Sequence, residues 1–286
     1  LDLDGKIGDQ LDLRFTLDLP ELSSLYPGLQ GRLAGQGELG GTITAPTLAA
    51  RLQGGELALA EHRLEQLALT LDWPLDPQAP ARVDLSASGL RLPAAQTLEQ
   101  VSLTLDGSPA HHRLDLALTG PAGQLDLAAA GGWQAPAWRG EILDLALQST
   151  EVPLGRWQSG APASLQLSPA AAQLQALCLQ QAEAELCASA AWQADGPPAQ
   201  AVTAALQWRN LDPDPWLQHY LPGASLSGRL SGELALQQLA PLRVDAEFEP
   251  VAGRLVLPQN TSPEPLAIDY RLERLRLQPL TPAAPD

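Results

Sequence analysis

Leu11-Asp12-Leu13-Arg14-Phe15-Thr16-Leu17-Asp18-Leu19 puts an apolar side chain at every second position. Two is the strand period, so Leu11, Leu13, Phe15, Leu17 and Leu19 share one face and the polar residues take the other. Leu67-Ala68-Leu69-Thr70-Leu71, Leu114-Asp115-Leu116-Ala117-Leu118 and Leu143-Asp144-Leu145-Ala146-Leu147 repeat the pattern. Together they specify an all-β protein: one broad sheet with an aliphatic face and a polar back. That face is either a closed core or a surface for something apolar, and the function depends on which.

Leucine makes up about a fifth of the 286 residues, whereas Val and Ile are scarce. β-Branched residues are the usual strand formers, so propensity alone would make several segments helical. The apolar spacing is mostly i, i+2, and the period decides. With 7 Trp, 3 Tyr and 2 Phe, large rings are few, which suits a smooth and adaptable face. The net charge of −16 is spread along the chain. It argues against nucleic acid, whose phosphates need clustered Lys and Arg, and against adsorption to anionic lipid surfaces. No apolar run approaches the ~20 residues of a membrane-spanning helix, and no signal peptide is recognisable. The chain holds no Met and reads as a piece of something longer.

Alternating runs and turn residues place strands at 11–19, 31–39, 47–53, 55–60, 64–72, 81–86, 100–106, 112–119, 123–130 and 141–148. Others follow at 163–168, 171–179, 184–192, 201–208, 226–237, 242–248, 252–257 and 266–277. Gly40-Gly41, Gly54-Gly55, Asp106-Gly107-Ser108-Pro109, Gly120-Pro121, Gly131-Gly132 and Asp195-Gly196-Pro197-Pro198 are the expected turns. Short connections favour antiparallel neighbours. Short helical turns are expected at 20–28 and 214–223, the second with Asp214 as N-cap and Pro215 at the first helical position. The segments 20–40 and 214–237 share a Leu-rich turn, a Pro-Gly and a Gly-Arg-Leu-x-Gly, which reads as an internal repeat. Residues 1–280 are expected to form a single elongated body, with 281–286 a disordered tail.

Cys178 and Cys187 fit a hairpin in which they face each other. Leu179 then opposes Leu186, Leu177 opposes Ala188, and all four lie on the other face from the thiols. An oxidising compartment makes this pair a disulfide; two reduced, unrelated thiols are the alternative. No metal site is expected, because no third or fourth ligand stands at a suitable spacing. His111 and His112 are adjacent and point to opposite strand faces, while His62 and His219 stand alone; all four read as solvated or turn histidines. No nucleophile elbow, phosphate-binding loop or zinc-protease helix occurs. Asp115, Asp126, Asp144 and Asp245 alternate with leucines on the solvated face. The tryptophans sit mostly near strand ends, where rim packing is expected. No catalytic residue, cofactor or metal is assigned, and the chain reads as a non-enzyme.

The stretch from about 98 to 237 resembles the TamB family of Gram-negative bacteria. The resemblance rests on Leu103-Thr104-Leu105-Asp106-Gly107-Ser108 and His112-x-Leu114-x-Leu116. Trp138-Arg139-Gly140-Glu141-Ile142, Trp157 ahead of Pro162-Ala163, Cys178-Leu179 and Leu186-Cys187 follow in order. Leu221-Pro222-Gly223 and Leu226-x-Gly228-x-Leu230-x-Gly232 complete it, and the flanks agree in pattern only. The family is the inner-membrane-anchored periplasmic subunit of the translocation and assembly module. The resemblance implies an elongated, curved sheet folded into an open hydrophobic groove, β-taco-like and related to AsmA-like lipid-transfer proteins. It also implies a periplasmic location and TamA, an outer-membrane barrel, as partner. The family's membrane anchor and barrel-contacting segment have no counterpart in these residues.

The leucine side of each strand is then expected to line the groove. These residues are Leu13, Phe15, Leu17, Leu57, Leu59, Leu67, Leu69, Leu71, Leu103, Leu105, Leu114, Leu116, Leu118, Leu125 and Leu127. Leu143, Leu145, Leu147, Leu165, Leu167, Leu177, Leu179, Leu186, Leu234 and Leu236 continue them. The expected function is a non-enzymatic conduit holding phospholipid acyl chains between the inner and outer membranes. The alternative is a chaperone-like scaffold for β-barrel proteins or autotransporters. A third class, a glycan-active or adhesive β protein, would use the same leucines as closed core.

Overall fold

The computed structural model describes residues 1–24, 26–93, 96–150, 155–194, 202–239, 242–249, 251–258, 265–273 and 275–277. The expected turn at 195–198 and the tail 281–286 lie outside them. The chain divides into two compact units, Leu1–Ala135 and Pro136–Asp286. Both are all-β and antiparallel.

The first unit is a meander of β1 (Asp2–Ile7), β2 (Leu11–Leu19), β3 (Leu29–Thr42), β4 (Ala45–Leu59), β5 (His62–Pro74), β6 (Ala81–Arg91), β7 (Thr97–Ser108), β8 (His111–Gly120) and β9 (Gly123–Gln134). Each strand pairs with the next. A 3-10 turn at Leu22–Ser24, anchored by buried Leu22, joins β2 to β3. β3, β4 and β5 have 14, 15 and 13 residues, roughly 43–50 Å at ~3.3 Å per residue.

Three expected glycine turns lie within strands instead, the first being Gly40-Gly41 in β3, opposite Thr47 and Pro46 of β4. Gly54-Gly55 lies within β4, opposite Leu33 and Arg32 on one side and Leu67 and Gln66 on the other. The irregularity there is a bulge at Glu56, whose φ is +54°. Gly131-Gly132 lies within β9, with Gly131 opposite His112. β1 was not foreseen, because Gly5-Lys6 interrupts its alternation.

The second unit contains β10 (Ala137–Ser149), β11 (Arg156–Ser159), β12 (Ala163–Leu167), β13 (Ala171–Gln181), β14 (Ala184–Gln193) and β15 (Val202–Leu211). Helix α1 (Asp214–Tyr220) follows, then β16 (Ser225–Leu226), β17 (Leu230–Leu239), β18 (Leu242–Phe248), β19 (Val251–Leu257), β20 (Leu266–Leu272) and β21 (Leu275–Leu277). β10 pairs with β11 at one end and β12 at the other, and both reach β13. The ladder runs on through β14, β15, β17, β18 and β21. β16, β19 and β20 form a separate three-stranded sheet, so the expected strand 226–237 is two strands in two sheets. The expected 266–277 is likewise β20 and β21. β11, with four residues, is too short to show a period.

α1 differs from expectation at its start. Its N-cap is Pro213, and Asp214 is already helical. The Asp214 carboxylate instead accepts the backbone N–H of Leu226 at 2.6 Å and the Gln218 side-chain amide at 2.6 Å, tying the helix to β16. In both units a helical turn thus joins two strands that pair with each other, β2 with β3 and β15 with β17. Gly28 and Gly223 after the two turns have φ of +90° and +85°, and Gly31 and Gly228 have φ of +107° and +122°.

Cys178 and Cys187 face each other across β13 and β14, with Leu179 opposite Leu186 and Leu177 opposite Ala188. They form a disulfide with a Cα–Cα distance of 3.9 Å. The Ala182-Glu183 turn below it holds Ala182 at φ +51°, and the β13 bulge holds Ala176 at φ +44°. An L side chain in this region costs about 1–2 kcal/mol, which Gly avoids. Ala182→Gly and Ala176→Gly are each expected to stabilise the second unit by about 0.5–1 kcal/mol, read as a raised denaturant midpoint. The double variant Cys178→Ser/Cys187→Ser is expected to lose about 2–3 kcal/mol, from the closure entropy of so short a loop. An unchanged midpoint in oxidised and reduced protein alike would contradict that.

Candidate functional site: the leucine face

Register in the first unit assembles the leucine runs into rows. Leu17, Gly35, Leu52, Leu69, Leu85, Leu103, Leu116 and Leu127 stand opposite one another in succession from β2 to β9. Two residues to one side runs Phe15, Gly37, Ala50, Leu71, Val83, Leu105, Leu114 and Ala129. Two residues to the other side runs Leu19, Leu33, Gly54, Leu67, Ala87, Val101, Leu118 and Leu125. Leu13 begins a fourth row with Leu39, Leu48 and Trp73. Side-chain period and pairing put all of these on one face. Gly37 lies under the Phe15 ring, where any Cβ would collide with it. Leu57 folds over Gly54, 2.9 Å from where a Cβ would sit, whereas Leu59 is 46% exposed.

These rows are not sealed. Leu22 is the one buried leucine among the described residues of this unit, and every row leucine keeps part of its surface open to solvent. Among all described residues, no large side chain is fully buried. A closed sandwich core would bury its leucines on both sides. The polar back carries Arg14–Glu38, Arg82–Asp84 and Arg113–Asp115 at 3.1, 2.8 and 2.8 Å. Hydrogen bonds that the guanidinium groups donate to Asp84 and Asp115, then the charge of those carboxylates, push the Arg82 and Arg113 pKa values up from the usual arginine value.

The second unit is tighter. Leu145 and Leu179 are each 8% exposed, as closely buried as Ile142, Trp157 and Trp208. Two large rings lie on this face, Trp157 opposite Leu147 and Trp208 opposite Leu186, and both are buried, not rim residues. Trp208 lies over Gly232, its Cζ2 2.7 Å from where a Cβ would sit, and meets the Phe248 ring edge-on at 5.3 Å. Leu145 is further fixed from its backbone: its N–H donates to Ser159 Oγ, which donates to Asp144 Oδ1. Leu143, Leu147, Leu165, Leu177, Leu186, Leu234 and Leu236 remain partly exposed, and Leu167 is 41% exposed.

His112 also departs from expectation. It is 8% exposed, lies between Gly107 and Gly131 in the register, and its Nδ1 is 3.0 Å from the Ser108 carbonyl oxygen. Both of its cross-strand neighbours are glycine, a signal the sequence carried in Gly107 and Gly131. Cys178, Cys187 and Glu185 bring possible ligand atoms within 4.8 Å of one another, but the sulfurs are bonded to each other and offer no thiolate.

A family model described as TamB, N-terminal domain, matches residues 1–278. The match extends the resemblance of residues 98–237 across both flanks. No solved structure matches the chain. The family is a non-enzymatic component of the translocation and assembly module in the Gram-negative envelope, where it acts with a TamA-like partner. With its alternating leucine strands carried over nearly its whole length, the chain belongs to the TamB family.

Proposed function

We propose that the leucine face of this chain carries phospholipid acyl chains across the periplasm between inner and outer membranes. The observation that carries the reading is the set of unsealed apolar rows from β2 to β9. A lipid entering water exposes its tails. At ~0.8 kcal/mol per CH₂, a chain of about sixteen carbons costs on the order of 13 kcal/mol. Partly open leucines can cover such a tail without a motor, metal or covalent step, while the acidic back stays hydrated. The groove, its anchoring to the inner membrane through another part of the protein and the TamA-like barrel as the outer contact belong to the same proposal. So do the scarcity of rings and the two helical-turn segments 20–40 and 214–237, taken as repeated units of one elongated body.

A photoreactive residue at Leu116 in the full-length protein is expected to crosslink phospholipid, and one at Leu145 is not. Crosslinks at Leu116 confined to nascent outer-membrane strands would overturn the conduit in favour of the assembly scaffold. A charge gives the matching contrast. Leu116→Asp, at a partly solvated site, is expected to cost about 1–2 kcal/mol and abolish co-purifying lipid. Leu145→Asp buries an unpaired carboxylate and is expected to cost about 4 kcal/mol or more, unfolding the second unit. Equal destabilisation at the two sites would mean that the first-unit face is core as well.

A further inference from the structure

We infer that the pocket beneath α1 holds the zwitterionic headgroup of a phospholipid, its ammonium and phosphate bound together. This rests on the acyl-chain reading above and deepens it. Pro215 and Trp216 of α1 face Trp157, Ala184 and Leu211 across a cavity of about 510 Å³, within the range of small-molecule sites. Glu183, Asp212 and Arg229 are the charged residues of its lining.

These charges choose the ligand. Arg229 and Asp212 pair at 2.8 Å, yet their side chains are 53% and 42% exposed. A guanidinium has five N–H donors in a fixed fork, so Arg229 can hold Asp212 and a phosphate oxygen at once. Trp216 is 41% exposed and offers an aromatic surface for an ammonium, with the Glu183 carboxylate in the same lining. A ligand carrying phosphate alone would meet two carboxylates. One carrying ammonium alone would meet Arg229. A headgroup bearing both charges satisfies all three, and the chain's net −16 disfavours an anionic lipid in the same sense.

Gln181 and Ala184 of the pocket wall are the cross-strand pair two residues beyond Leu179 and Leu186, and Leu186 stands opposite Trp208.

The test loads the delipidated full chain with diheptanoylphosphatidylcholine or diheptanoylphosphatidylglycerol and weighs bound lipid by mass spectrometry. Phosphatidylcholine is expected to be retained about tenfold over phosphatidylglycerol. Arg229→Gln and Trp216→Ala are each expected to lower that retention about tenfold, while Arg14→Gln on the polar back leaves it unchanged. Equal retention of the two lipids, or retention unaffected by both pocket variants, overturns the inference. Glycerophosphocholine, which has no tails, separates the two readings when titrated against tryptophan fluorescence. If it binds wild type but not Arg229→Gln while Leu116 crosslinks no lipid, the pocket stands and the conduit falls. If Leu116 crosslinks lipid with no headgroup preference, the conduit stands and the pocket falls.

Discussion

Phase is the constraint on which everything else in this protein depends. A strand shows its side chains alternately, so a slip of one residue would move a whole set of leucines to the wrong side. The chain nevertheless keeps its leucines together through strands of 13 to 15 residues, longer than the ~5–6 usual in globular proteins. It does so by resetting the phase where needed. Glu56, Ala176 and Asn210 take positive φ, and register shifts lie at or beside each of them. Across each bulge the apolar spacing changes from two to three: Gly54 to Leu57, Leu174 to Leu177, Trp208 to Leu211. Strained backbone at single residues is what keeps the apolar side continuous.

The two units use that continuity differently. In the first, the row leucines lie beside other leucines, glycines, alanines and valines with Phe15 and Trp73 among them, and each keeps part of its surface exposed. In the second, Trp157, Trp208 and Phe248 fill part of the face, with Gly232 cut back to admit an indole. The second unit's buried apolar side chains include Ile142, Leu145, Trp157, Leu179 and Trp208. Ring content thus separates a surface that stays available from one that closes on itself. Both arise from the same alternating pattern.

Much of this was legible in the residues. The period placed β2 at Leu11–Leu19 without error, and the hairpin arithmetic around Cys178 and Cys187 gave the observed register. What escaped had physical reasons. Gly54-Gly55 and Gly131-Gly132 read as turns because glycine pairs usually are; here Gly54 and Gly55 make room for Leu57 and Arg32, and Gly132 for the backbone of Ala110, which only the folded neighbours reveal. Leu145 reads like Leu116 from its own run, since its neighbour Ser159, whose hydroxyl accepts the Leu145 N–H, comes from another strand. Asp214 reads as an N-cap, but its carboxylate is taken by a backbone N–H twelve residues on. The pocket at Trp216 and Arg229 joins segments from 155 to 229, and no local pattern announces it.

The cystine has a mechanical consequence. It ties β13 to β14 close beside the bulge at Ala176, where hydrogen-bonded register is interrupted. A ladder of hydrogen bonds pulled along its length yields first where it is discontinuous, and a covalent rung stops the tear there. Because the sulfurs sit on the opposite side from Leu177 and Leu179, the brace takes no room from the greasy side. The hairpin can bear load across its bulge while both of its faces keep their packing.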